Sequence, residues 1–213
     1  MPLNLISDNP LYFIAWLAAI LVAFTTHEFS HALAATVLGD PTPKKMGRLT
    51  LNPIAHIDFV GLLMLVLIGF GWGKPVPFNP YNLKYQKWGG TLVALAGPFA
   101  NLLNIALWGI VLKIVVAYNL LPPANLLILF LNLLIVLNVT LLIFNLIPVP
   151  PLDGSHFLFD ILRSPKYERI KIFLETRGPF LLLGLIILDN LAGLGVFGRL
   201  FGGATSLVYR IFF

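Results

Sequence analysis

The sequence predicts a mainly α, polytopic membrane protein with about four transmembrane helices and a small re-entrant or β-hairpin element between the first two. Three observations predict it. Of 213 residues, 58% are hydrophobic and only 11% charged, whereas soluble domains carry about a quarter charged residues. Several apolar stretches approach or exceed the ~20 residues that cross a bilayer core. No repeat, linker or low-complexity tail interrupts the chain, so residues 1–213 are expected to form a single membrane-embedded domain.

The first helix is expected from about Pro10 to Leu38, stopped by Gly39-Asp40-Pro41. A second runs from about Trp88 to Tyr118, ahead of Pro122-Pro123, and a third from about Ala124 to Ile147, ended by PVPPLDG. A fourth begins with GPFLLLGLIILDN at Gly178 and either continues through the glycine-rich tail or gives way to an interfacial segment. Between the first two helices, short runs bounded by Gly, Pro and Asn replace the long apolar pattern. GLLMLVLIGF, Gly61 to Phe70, is too short to span as a helix and is expected to be re-entrant or strand-like. Such backbone at membrane depth must be covered by protein or line a wet cavity.

Eleven of the fourteen Lys and Arg residues fall in two stretches. Lys44, Lys45, Arg48, Lys74, Lys84 and Lys87 precede the second helix, and Arg163, Lys166, Arg169, Lys171 and Arg177 precede the fourth. The positive-inside rule places both loops in the cytoplasm and the N-terminal nine residues outside, making this a multi-pass cell-membrane protein. The basic loop at 163–177 is then a membrane-surface anchor. The net charge of +5 therefore reports topology, and no aromatic-interleaved basic patch points to nucleic acid. Nor does a basic n-region precede the first apolar run, so a cleaved signal peptide is not expected. The chain has no cysteine, so any metal must be held by His, Asp or Glu.

The first helix contains THEFSH, in which His27, Glu28 and His31 form H-E-x-x-H. Four residues apart on a helix, two imidazoles share one face and can reach one cation. Glu28, about 100° further round, can approach a water on that cation without completing the same coordination triangle. Random placement of these residue types gives roughly 0.001 such matches in a chain of this length, so coincidence is a poor account. Interhelical polar packing is a poor one too, because a charged side chain at mid-membrane costs about 2.5–3.5 kcal/mol. From Pro10 to His27 the helix rises about 26 Å of a ~30 Å core, which puts the centre in the cytoplasmic half. A third ligand must come from another element at that depth. His56, His156, Asp58, Asp153 and Asp160 all lie in stretches assigned to that side. Asp153 stands out because NLIPVPPLDG holds it where the third helix leaves the membrane, although Asp-Gly pairs commonly mark ordinary turns.

HEFSH in a membrane helix, followed far downstream by NLIPVPPLDG, resembles the site-2 proteases, intramembrane zinc metalloproteases that cut transmembrane segments. LAGPFANLLN and LTLNPIAHID also resemble family segments. The resemblance runs to about Gly154 and lacks the PDZ or CBS domains found in other members. It implies that His27, His31 and Asp153 bind zinc, that Glu28 is the catalytic base, and that Asn145 helps position substrate. His56 is either a loop histidine or a group that polarises the scissile carbonyl, and His156 is at most a spare ligand. Asn101 and Asn104, just past Gly97-Pro98, are expected to serve interhelical bonding at a kink, the alternative being a role lining the active-site cavity. The partners implied are a transmembrane protein substrate and the lipid bilayer. A strand-like stretch between Gly61 and Pro77 could receive an unwound substrate by β-addition. Two rivals from other classes are a metal-ion transporter and a non-catalytic membrane scaffold.

Overall fold

A computed structural model describes residues 7–213; residues 1–6 of the stretch assigned to the outer side lie outside the described residues. Three helices are long and apolar enough to cross a membrane: α1 (Pro10–Val37), α3 (Gly89–Ala117) and α4 (Leu126–Asn145). They pack on one another to form the core, and their ends fall within two residues of the predicted limits. Local chemistry sets those ends. Asn9 and Asn125 cap α1 and α4, their side chains accepting from Tyr12 and Leu127 backbone N–H groups, and Gly39 turns the chain out of α1 at φ +108°.

The buried face of α1 explains how these helices meet. Ala15, Ala19, Ala23, His27, His31 and Ala35 are all buried and recur every fourth residue. Positions i±4n form a ridge inclined to the helix axis, and small residues along it let neighbouring backbones approach closely. The histidines occupy two places on this alanine ridge. On either side of the first two alanines, Ile105, Leu112, Leu131, Leu134, Ile135 and Val139 fill the core.

The segment between α1 and α3 departs from expectation. The residues predicted to be re-entrant or strand-like form a ten-residue helix, α2 (Phe59–Ile68). Both ends are capped: the Asp58 side chain accepts from Gly61 N–H, and Gly69 takes the left-handed conformation. With those caps, a run of aliphatic residues coils. The only β pairing among the described residues is a single antiparallel bridge between Ile57 and Gly73. Beyond it an irregular return leg lies so close over α2 that a Cβ on Gly61 would stand 1.9 Å from the Trp72 carbonyl oxygen. Arg48 clasps this leg by donating to the carbonyls of Ala55, Lys74 and Pro75. Asp40, fully buried at the end of α1, accepts from Thr42, Asn79 and Asn82 and so ties both ends of the loop to α1. Burial alone would raise its carboxyl; these hydrogen bonds outweigh that and hold it below the ordinary range.

After α4 come α5 (Gly154–Ile161), α6 (Glu168–Leu191) and α7 (Val196–Phe212). The stretch expected as a fourth span forms the second half of α6, whose first half carries the charged residues Glu168 to Arg177; α6 is not among the three helices long and apolar enough to cross a membrane. The tail does not extend that helix. Asp189 accepts from the N–H groups of Val196 and Phe197 and starts α7 afresh. Tyr209 then donates to Asn132 and fixes α7 on α4.

Because α1, α3 and α4 alternate in direction, residues 38–88 and 146–167 emerge at one end of the bundle and residues 118–125 at the other. With no native cysteine, Lys45→Cys, Lys166→Cys and Leu120→Cys should label without background. Leu120 is exposed, whereas the neighbouring Asn119 holds a positive φ that disfavours substitution. The two former lysine positions should react from the cytoplasmic side and Leu120→Cys from the opposite side. Labelling of all three from one side would overturn the predicted topology.

Candidate metal centre

His27 and His31 stand one turn apart on the ridge, with ring centroids 4.6 Å apart and planes 88° to each other. Each ring is held from behind. His27 Nδ1 lies 2.6 Å from Asn101 Oδ1 on α3, and His31 Nδ1 lies 2.8 Å from the Val93 carbonyl oxygen. A carbonyl oxygen only accepts, so each Nδ1 carries the proton and each Nε2 is left with a lone pair. The two Nε2 atoms face each other at 3.0 Å. There is room for them because α3 has Gly97 at the point of contact, where a Cβ would lie 2.5 Å from both His27 Cε1 and His31 Nε2.

The third group arrives from beyond α4. An Asp at a helix start ordinarily caps it, but Asp153 makes no capping bond to α5. Its carboxylate turns to the histidines instead, with Oδ2 3.2 Å from His27 Nε2 and 3.4 Å from His31 Nε2. Gly154 makes this turn possible through close approach: a Cβ there would sit 2.4 Å from the Leu146 carbonyl oxygen.

With both imidazoles neutral, two nitrogen lone pairs and a carboxylate oxygen converge here, and Asp153 Oδ2 is buried without a hydrogen-bond partner. Such a cluster repels itself unless a cation sits among the three atoms. Ligand atoms on a tetrahedral zinc with bonds of about 2.0–2.1 Å stand about 3.3–3.4 Å apart. The separations here, 3.0, 3.2 and 3.4 Å, fit that geometry. The donor set suits zinc as well, since it combines two neutral imidazoles with one carboxylate.

The other singled-out residues are distributed around this group. Glu28 is buried and within electrostatic reach of His27, His31, Asp153 and His56, and it is not one of the three converging groups. His56 is fully buried; its Nε2–H donates to the Thr50 carbonyl at 2.9 Å, which leaves Nδ1 as an unpartnered acceptor. Asn145 ends α4, and its amide donates back to the Leu141 carbonyl. His156 lies outside the converging group and packs against Phe78 with ring centroids 6.0 Å apart. Burial lowers its imidazole from the ordinary range. Asn104 bonds Thr26 and Asn138 between helices as expected, while the contact of Asn101 with His27 and the part of Asn138 are additions from the structure. The first agrees with the cavity-lining alternative for Asn101 without a local signal for its partner, and nothing local pointed to the second.

Two buried histidines on a helix of membrane-spanning length, joined by Asp153 from the loop after another, define a membrane protein with a candidate metal centre. Residues 109–185 match the model of Peptidase family M50. The chain is 35% identical over 192 residues to "Putative zinc metalloprotease YwhC" of Bacillus subtilis, covering 89% of this chain and 87% of that protein. It is also 35% identical over 186 residues to "Putative zinc metalloprotease Rip2" of Mycolicibacterium smegmatis, covering 82% of this chain and 67% of that one. The protein of the same name in Mycobacterium tuberculosis is 33% identical over 184 residues, with 83% and 66% covered. No solved structure matches the chain significantly. The chain belongs to peptidase family M50, the site-2 protease family.

Proposed function

We propose that the protein is a zinc metalloendopeptidase of the cell membrane that hydrolyses a peptide bond in or near a transmembrane segment of another membrane protein. The observation that carries this reading is the convergence of His27 Nε2, His31 Nε2 and Asp153 Oδ2 at 3.0–3.4 Å beside a buried glutamate. Family membership and the names of the relatives support the same chemistry. Zinc held by these three residues would supply Lewis acidity, making water nucleophilic near neutral pH and polarising the scissile carbonyl.

Glu28 is the base. Its carboxylate makes no hydrogen bond among the described residues and so is free to take the proton from the attacking water. It then returns that proton to the leaving amine. Asn101 and the Val93 carbonyl hold the imidazoles still meanwhile. His56, with its only N–H committed to Thr50, presents an acceptor at Nδ1, so its substrate contact would be with a backbone N–H. Asn145 keeps its side-chain oxygen for a similar positioning role. A substrate helix must unwind before its carbonyls are accessible, and the irregular return leg ahead of Lys74 would offer backbone to which such a strand could add.

A metal-ion transporter needs polar groups along a path through both leaflets. Away from the site the core is closed by Ala15, Ala19, Ile105, Leu112, Leu131 and Leu134, which favours the peptidase. The metal is tested by elemental analysis of purified protein, where about one zinc per chain is expected. His27→Ala, His31→Ala and Asp153→Ala should each lower that content, and His156→Ala should leave it unchanged. Full zinc in Asp153→Ala, with loss in His156→Ala, would overturn the ligand assignment.

A further inference from the structure

We propose that a one-way chain of amide hydrogen bonds, beginning at a backbone carbonyl of α4, dictates which ring nitrogen of His27 faces the metal, and that Asn138 is a positioning residue acting through it. The proposal rests on the zinc reading above. Its first link is Asn138 Nδ2 donating to the Leu134 carbonyl at 2.7 Å. Asn138 Oδ1 accepts from Asn101 Nδ2 at 2.9 Å and from Asn104 Nδ2 at 3.2 Å. Asn101 Oδ1 in turn faces His27 Nδ1 at 2.6 Å.

The direction of this chain follows from its starting point. The Leu134 carbonyl can only accept, so Asn138 must turn its NH2 end towards it and its oxygen towards α3. That oxygen can only accept, so Asn101 must turn its own NH2 towards α4 and its oxygen towards His27. His27 must then donate from Nδ1, which leaves Nε2 as the metal-facing lone pair. Asn101 and Asn138 are both fully buried, so no bulk water competes to reverse either amide. His31 needs no relay, because the Val93 carbonyl fixes its Nδ1–H directly. His27 has no such carbonyl partner and borrows its direction from Leu134, two side chains away. Partners behind metal-binding histidines commonly change metal affinity 10- to 100-fold when removed.

Asn138→Leu deletes the anchor and leaves the Asn101 amide free to present either end to His27. Zinc affinity, measured by competition with a chromophoric chelator, should fall about 10-fold or more. Adding Asn101→Asp should restore it, because a carboxylate presents an acceptor whichever way it turns. A purely packing role for Asn138 predicts no such rescue, since the double variant has lost both amides. Should Asn138→Leu fail to insert, Asn138→Ala makes the same comparison. Wild-type affinity in the single variant, or no recovery in the double variant, overturns the proposal. Imidazole 15N shifts of the metal-free protein separate this proposal from the zinc reading. The Nδ1–H form should predominate at His27 in the wild type and lose that predominance in the Asn138 variant. An Nε2–H form in the wild type sinks the relay, whereas absence of zinc binding with the Nδ1–H form present sinks only the metal assignment.

Discussion

Glu28→Gln is expected to keep near-normal zinc content and membrane insertion while losing at least ~10²-fold of its cleavage activity. Gln nearly matches Glu in size and shape but cannot take a proton from water. Because Glu28 is outside the converging His27, His31 and Asp153 group, its replacement should spare the metal. The measurement is cleavage of a detergent-solubilised transmembrane segment, with and without a zinc chelator. A transporter would cleave in neither form, and a scaffold would keep its partners in both. Full activity in Glu28→Gln, or cleavage insensitive to the chelator, would overturn the peptidase mechanism.

Gly97→Ala should remove bound zinc as thoroughly as His27→Ala, although Gly97 offers no ligand. The added methyl would stand 2.5 Å from His27 Cε1 and from His31 Nε2. Neither ring can retreat easily, since each is fixed by a hydrogen bond from its Nδ1. Either the imidazoles leave their convergent positions or α3 moves off the alanine ridge. Gly90→Ala on the same helix is the control, because nothing lies within 4 Å of a Cβ there. Elemental analysis decides the matter: zinc near the wild-type level in Gly97→Ala would show that the contact is not limiting.

The long helices could be read from the sequence because their apolar runs are punctuated by Gly39, by Pro122-Pro123 and by the prolines after Ile147. His27, Glu28 and His31 were equally legible, since their spacing is itself a helix geometry. Asp153 stood out by where its loop leaves the third helix, and resemblance to a family gave it a role. What stayed hidden depends on how neighbouring elements slide past each other. The contact of Asn101 with His27 requires a particular axial offset between α1 and α3, and no local pattern encodes it. Gly97 looked like part of a kink; its use as space for two imidazoles appears only once α1 lies against it. The helix α2 was missed for another reason. A short apolar run fits helix or strand equally well, and the caps from Asp58 and Gly69 decided it.

The unequal lengths of the helices bear on water supply. On the proposed function each cut would consume one water, which would have to reach a centre inside a bilayer. The 20 residues of α4 rise about 30 Å and α1's 28 residues about 42 Å. Asp153 follows the end of the shorter helix and meets α1 well before Val37, so the group of His27, His31 and Asp153 lies near the level at which α4 stops. The Asp153 side chain is 18% exposed and that of His27 only 3%, so the wet approach is from the loop. In a membrane core about 27 Å thick, the end of α4 and this loop would stand at the head groups. In one about 32–33 Å thick they would be drawn into hydrocarbon. Bilayer thickness would then govern turnover directly, with the same protein cutting faster in short-chain lipid than in long-chain lipid.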